Sequence, residues 1–113
     1  MANSFVGNWN TEWLSYDNNV KGSATLTVTE SFLSDPSGQV LNGMWDAPNM
    51  RPGTLHGALS GNTWSGEWWY SPTERGEFTF ELKEKDGKII FEGTYNAINR
   101  TAPNDPYWNG TRM

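Results

Sequence analysis

One pattern constrains this chain more than any other: apolar-x-Gly-x-apolar, repeated along its length. It occurs as Leu41-x-Gly43-x-Trp45, Leu55-x-Gly57-x-Leu59, Trp64-x-Gly66-x-Trp68 and Phe91-x-Gly93-x-Tyr95, and a variant, Trp108-x-Gly110-x-Arg112, closes the chain. In an extended strand, residues two apart share a face, so each Gly lies between two large side chains on one side of a sheet. A glycine there relieves crowding where a sheet coils tightly and lets a neighbouring aromatic cover its backbone. Five such segments suit a small closed barrel better than a flat sandwich.

The rest of the chain agrees. Twelve Gly and six Pro interrupt any helical period, whereas period-two alternation runs throughout. It predicts eight strands, at about Phe5–Trp13, Gly22–Glu30, Val40–Asp46, Thr54–Leu59, Thr63–Tyr70, Glu77–Lys83, Lys88–Tyr95 and Tyr107–Arg112. Ser60-Gly61-Asn62 and Asp86-Gly87 are tight-turn signals. No segment between strands can hold a crossover helix. The expected fold is all-β: an eight-stranded antiparallel up-and-down barrel in one domain, which 113 residues suit. Phasing on the glycine pattern turns Trp9, Thr11, Trp13, Leu26, Trp45, Trp68, Tyr70, Phe80, Phe91, Tyr95 and Trp108 inward. Thr25, Thr27, Glu67, Glu77, Thr79, Glu81 and Glu92 turn outward.

Composition narrows the function. Seven Trp, four Tyr and five Phe can build a core in a chain with a low apolar fraction. With no Cys, disulfides, zinc-thiolate sites and cysteine nucleophiles are excluded. A net charge of −5 argues against a nucleic-acid or anionic-membrane partner. The start of the chain lacks a leader pattern and no apolar run reaches membrane length, so the expected compartment is the cytoplasm.

Gly7-Asn8-Trp9 opens the first strand and Arg112 stands in the last. This resembles the structural signature of the calycins, the superfamily of lipocalins, fatty-acid-binding proteins and avidins. There a Gly-x-Trp tryptophan near the barrel's closed end packs against an arginine of the final strand. The resemblance implies that Gly7, Trp9 and Arg112 pin the closed end, and the chain's length is nearer the compact avidin-like branch. Biotin binding is not carried over. Ser15 falls at the position of the avidin serine, but Thr11 replaces the asparagine, and Trp64, Trp68 and Trp108 are only possible echoes of the ligand cage.

Expected loop lengths place an open mouth at one end. Leu14–Lys21, Ala47–Gly53, Ser71–Gly76 and Asn96–Pro106 are long, while two of the three opposite connections are tight; Glu30–Gln39 is the exception. The mouth would carry Tyr16, Asp17, Asp46, Asn49, Met50, Arg51, Glu74, Arg75, Asn96, Asn99 and Arg100. Trp13, Trp45, Trp68, Tyr70 and Tyr95 lie at the mouth ends of their strands and would line any cavity; Trp9, Trp64, Phe80, Phe91 and Trp108 are read as core. An aromatic lumen under a loop-decorated mouth is a small-ligand site, although small barrels are also filled by side chains alone. The expectation is a protein that binds a small apolar or aromatic ligand there, gripped by Asp46, Arg51, Arg75 or Arg100, with no cofactor, no metal and no assigned catalytic residue.

Other chemistries fit less well. His56, the one histidine, is expected on the outer face with no histidine or cysteine companion. The serines lack a nucleophile elbow, and no phosphate loop is present. A carbohydrate-binding or protein-interaction module would use Trp69, the one aromatic phased outward in mid-strand. Trp69 could equally join Met44, Ala58 and Ile90 in an apolar homodimer face. A cofactor-free barrel cyclase or isomerase would use Asp46 or Glu74 as its acid.

Overall fold

Burial alternates residue by residue along the strands, and this decides which face of the chain closes inward. The computed structural model describes residues 5–15, 20–35, 38–47, 51–98 and 106–113. Eight antiparallel strands follow one another: β1 (Gly7–Leu14), β2 (Lys21–Asp35), β3 (Gly38–Asp46), β4 (Gly53–Ser60), β5 (Thr63–Ser71), β6 (Glu74–Lys85), β7 (Lys88–Tyr95) and β8 (Trp108–Arg112). Each pairs with the next, and β8 returns to pair with β1, so the sheet is a closed up-and-down barrel. Among the described residues no helix is long and apolar enough to cross a membrane.

The expected inward set is buried or half-buried throughout, and the expected polar set is exposed. Thr11 and Ser71 are the buried polar side chains among the described residues; the Thr11 hydroxyl donates to the Ala24 carbonyl at 2.9 Å, which satisfies it. Register shows what the repeated glycines do. Phe80 stands opposite Gly93 and Phe91 opposite Gly110, and a Cβ on either glycine would enter the facing ring. Each ring thus lies flat across a neighbouring strand, which lets large side chains fill a narrow barrel at native density.

At the closed end, Phe5, Trp9, Trp64, Phe78, Phe80 and Phe91 make a solid floor. Phe80 stacks on Phe91 with centroids 4.4 Å apart, and Trp64 meets Phe78 edge-on at 4.8 Å. Phe5 precedes β1 rather than starting it, and plugs the floor against Trp9, Trp64 and Phe91. The Trp9 Nε1–H donates to the Phe5 carbonyl at 2.8 Å. Arg112 lies over the Trp9 ring, Cζ 4.7 Å from its centroid, and donates from Nη1 to the Val6 carbonyl at 3.1 Å. Gly7, at φ +134°, leaves the room that this guanidinium occupies. Gly7, Trp9 and Arg112 therefore meet as the sequence reading expected.

Two connections differ from expectation. Glu30–Gln39 is mostly strand: β2 and β3 extend to pair Ser34 with Gln39 and Asp35 with Gly38, after a register shift between Glu30 and Ser34. Ser71–Gly76 is a tight turn, because Ser71 already pairs with Glu74. Pro72 occupies a turn position that needs no N–H donor, and the Ser71 hydroxyl accepts from the Thr73 amide at 3.3 Å. The two foreseen hairpins hold. Asp86 and Gly87 are both at positive φ, the geometry of a type I′ turn, and Gly61 is at +61°.

Candidate functional site

The mouth end is built by one device used three times. Trp13, Trp45 and Trp68 sit near the mouth ends of β1, β3 and β5, and each faces a glycine at or near the start of the next strand: Gly22, Gly53 and Gly76. A Cβ on any of the three would strike the facing tryptophan. Bare backbone therefore supports each indole and sets its tilt. β8 enters at the mouth as β2, β4 and β6 do, but it brings Trp108 where they bring glycines, opposite Trp13 on β1. A sequence reading that takes Trp108 as deep core is corrected by this pairing: the last strand runs antiparallel to the first, so its leading residue faces the mouth.

Trp13, Trp45, Trp68, Tyr70, Tyr95 and Trp108 together with Glu74 wall a cavity of about 90 Å³. Trp45 stacks on Tyr70 at 6.2 Å with the planes 17° apart, and meets Trp108 edge-on at 5.2 Å. Trp68 meets Tyr95 edge-on at 5.9 Å. Two polar edges are tied to backbone: Trp68 Nε1 donates to the Asn96 carbonyl at 2.7 Å, and the Tyr95 hydroxyl donates to the Leu14 carbonyl at 2.6 Å. Asn96 in turn holds the end of β7 against β6, its Oδ1 accepting from the Glu77 amide at 2.9 Å. The buried Trp108 Nε1 has no partner among the described residues; Trp64 at the closed end shares this, so the feature alone does not mark a site.

The expected charged grip is rearranged. Arg51 lies over the Tyr70 ring, Cζ 4.9 Å from the centroid, at the rim. Asp46 is exposed and belongs to an outer depression with Asn10, Glu12 and Thr111, because the alternation that buries Trp45 turns its neighbour out. Arg75 is also exposed and shares the outer face with Trp69, its cross-strand partner. Arg100 lies outside the described residues, as do Tyr16, Asp17, Asn49, Met50 and Asn99. Glu74 is the acid that reaches the cavity. Counting back by twos from Phe78 through Gly76 puts it on the inner face, a signal the sequence already contained.

The outer apolar patch is smaller than expected. Met44 and Trp69, 51% and 47% exposed, stand in one row with Thr54 between them. Ala58 lies four residues further along β4, opposite Val40 and Ser65. Ile90 is on β7, four strands from β3 whichever way round the ring is counted. Both were placed in the patch by face alone, and register separates them. His56 is exposed on the outer face as expected, its Nδ1 2.6 Å from the Asn42 Oδ1. Three outer depressions, of about 510, 670 and 380 Å³, exceed the mouth cavity in volume. They are open stretches of strand surface with many polar walls, whereas the mouth cavity is the concave aromatic space. No protein-family model matches the chain, and no curated protein matches it in sequence.

Proposed function

We propose that this chain is a cytoplasmic small-molecule binding protein of calycin-like build, which holds an apolar or aromatic group of its ligand in the mouth cavity. The observation that carries this reading is the contrast between the two ends of the lumen. Phe5, Trp9, Trp64, Phe78, Phe80 and Phe91 bury one another at the closed end, while the mouth leaves about 90 Å³ among six more rings and one carboxylate of the described residues. That volume is below the ~300–1,000 Å³ of whole-ligand pockets, so the cavity takes a compact group and the remainder of the ligand meets the rim near Arg51. The Trp9–Arg112 stack supports the calycin resemblance. A chain without Cys folds without an oxidising compartment, which suits the cytoplasm.

Titrating tryptophan emission with a panel of small apolar and aromatic compounds tests the reading, since four of the wall residues are indoles. A binder should shift or quench emission, Trp13→Leu should weaken it several-fold, and Trp69→Leu should leave it unchanged. The reverse ranking of the two variants would favour an outer-surface carbohydrate or protein module and refute the cavity reading. Should turnover be found, the acid would be Glu74, since Asp46 faces outward. The exposed Met44–Trp69 row favours weak self-association beside ligand binding. Trp69→Glu should then lower the sedimenting mass, and equal masses for wild type and variant would remove the homodimer.

A further inference from the structure

We infer that the group held in the mouth cavity is a methylated ammonium or similarly compact organic cation. This rests on the mouth cavity as the binding site and replaces its neutral apolar occupant by a charged one. Six rings and one carboxylate are the parts of a cation cage: aromatic faces attract a cation through their quadrupoles, and an acid fixes its charge. Glu74 is the one charged side chain in the wall among the described residues, and there it has no ion-pair or side-chain hydrogen-bond partner.

The alternatives fit the same walls less well. A neutral apolar group would press against the carboxylate, strip water from it and return nothing. An anion would be repelled by it. The two polar edges of Trp68 and Tyr95 are committed to the Asn96 and Leu14 carbonyls, so these residues present ring rather than donor to an occupant. Tyr70 already carries one cation, the Arg51 guanidinium, whose own position is at the rim and outside the cavity wall. Size agrees as well. About 90 Å³ is the liquid share of roughly three waters at ~30 Å³ each, room for a methylated nitrogen and little more. The chain's net charge of −5 draws cations toward it from solution.

The test uses the intact protein and two probes: choline, and its neutral isostere in which a quaternary carbon replaces the nitrogen. Tryptophan emission is followed for both. Choline should bind about fivefold or more tightly than the isostere. Added salt should weaken choline and leave the isostere unaffected. Glu74→Gln, which keeps the shape and removes the charge, should narrow the gap between the two affinities, leaving the share that the rings supply. Should that variant lose its melting transition, Tyr70→Leu serves instead and should weaken choline more than the isostere. Equal affinities in the wild type, or a choline preference undiminished by both Glu74→Gln and Tyr70→Leu, would overturn the cation and leave the mouth cavity standing. So would silence toward both probes alongside a response to another compound of the panel. Silence toward every compound would remove both proposals together.

Discussion

Replacing Arg112 by Ala removes the pin at the closed end. Among the described residues the guanidinium makes two separable contacts: it lies over Trp9 at 4.7 Å and donates to the Val6 carbonyl at 3.1 Å. A hydrogen bond from a charged donor contributes about 1.5–3 kcal/mol, and a half-buried cation–π contact about 0.5–1 kcal/mol. The expected loss is therefore about 2–4 kcal/mol. An unfolding entropy near 2.1 cal/mol/K per residue, over 113 residues, converts each kcal/mol to about 4 °C, so Tm should fall by roughly 8–16 °C. β8 is only five residues long and pairs with β7 in register at two positions, Ile90–Thr111 and Phe91–Gly110. The loosened strand should thus be visible as faster amide exchange in β8 before it is visible in β4. Arg112→Lys keeps charge but loses the flat face, and should lie between. A double-mutant cycle with Trp9→Leu isolates the stack, with an expected coupling of about 0.5–2 kcal/mol. A fall in Tm of less than about 3 °C for Arg112→Ala, or a coupling within error of zero, would refute the claim that this pair closes the barrel.

Gly53→Ala drives a methyl into the Trp45 ring, so it should cost about 1–3 kcal/mol and alter near-UV circular dichroism by displacing the Trp45–Tyr70 stack. Gly61→Ala meets no neighbour but sits at φ +61°, so it should lower Tm through backbone strain with the aromatic spectrum intact; matching spectra in both variants would count against the glycine-seated indole. On the outer face, the Lys83 ammonium hydrogen-bonds the Glu92 carboxylate at 2.7 Å and holds its pKa below the ordinary 4.5. A carboxylate whose pKa is lowered by folding adds stability that is present above the unfolded value and lost as pH falls through the folded one. Lys83→Met should move the Glu92 titration, followed by NMR, upward toward its ordinary value and flatten the acid limb of the stability curve slightly. A Glu92 titration unmoved by Lys83→Met would exclude the pair as its cause.

How far the chain could be read in advance depended on the range of the forces involved. Whether a residue faces in or out is set by a period of two and by its own polarity. Leu26, Trp45, Phe80 and Phe91 inside and Thr27, Glu67, Thr79 and Glu92 outside were therefore legible, whereas Trp9 against Arg112 was implied only by the resemblance of the chain's two ends to a known signature. Which residues stand side by side is set by register, and that was legible only where a turn dictated it, as at Asp86-Gly87. The apolar patch shows the difference: Met44, Ala58, Trp69 and Ile90 were each turned outward correctly, yet only Met44 and Trp69 are near neighbours. The charged grip failed for the same reason at closer range. Asp46 and Arg75 stand near the mouth along their strands, but one step of alternation sends their side chains outside, and Glu74 takes the inner place.

Read alone, the recurrent glycines already favour a closed, coiled sheet over a flat one, because large side chains on either side of each glycine need a neighbouring backbone to lie across. Closure itself supplied what no local pattern holds. Joining β8 to β1 brings Trp108 up to the mouth opposite Trp13, and it seats Trp13, Trp45 and Trp68 on glycines of the following strands. A cavity of about 90 Å³ is the small remainder after a ring of fixed radius is filled by side chains of fixed volume. Such a remainder belongs to the whole barrel, so only the tertiary structure could decide that the floor is full and the mouth is not.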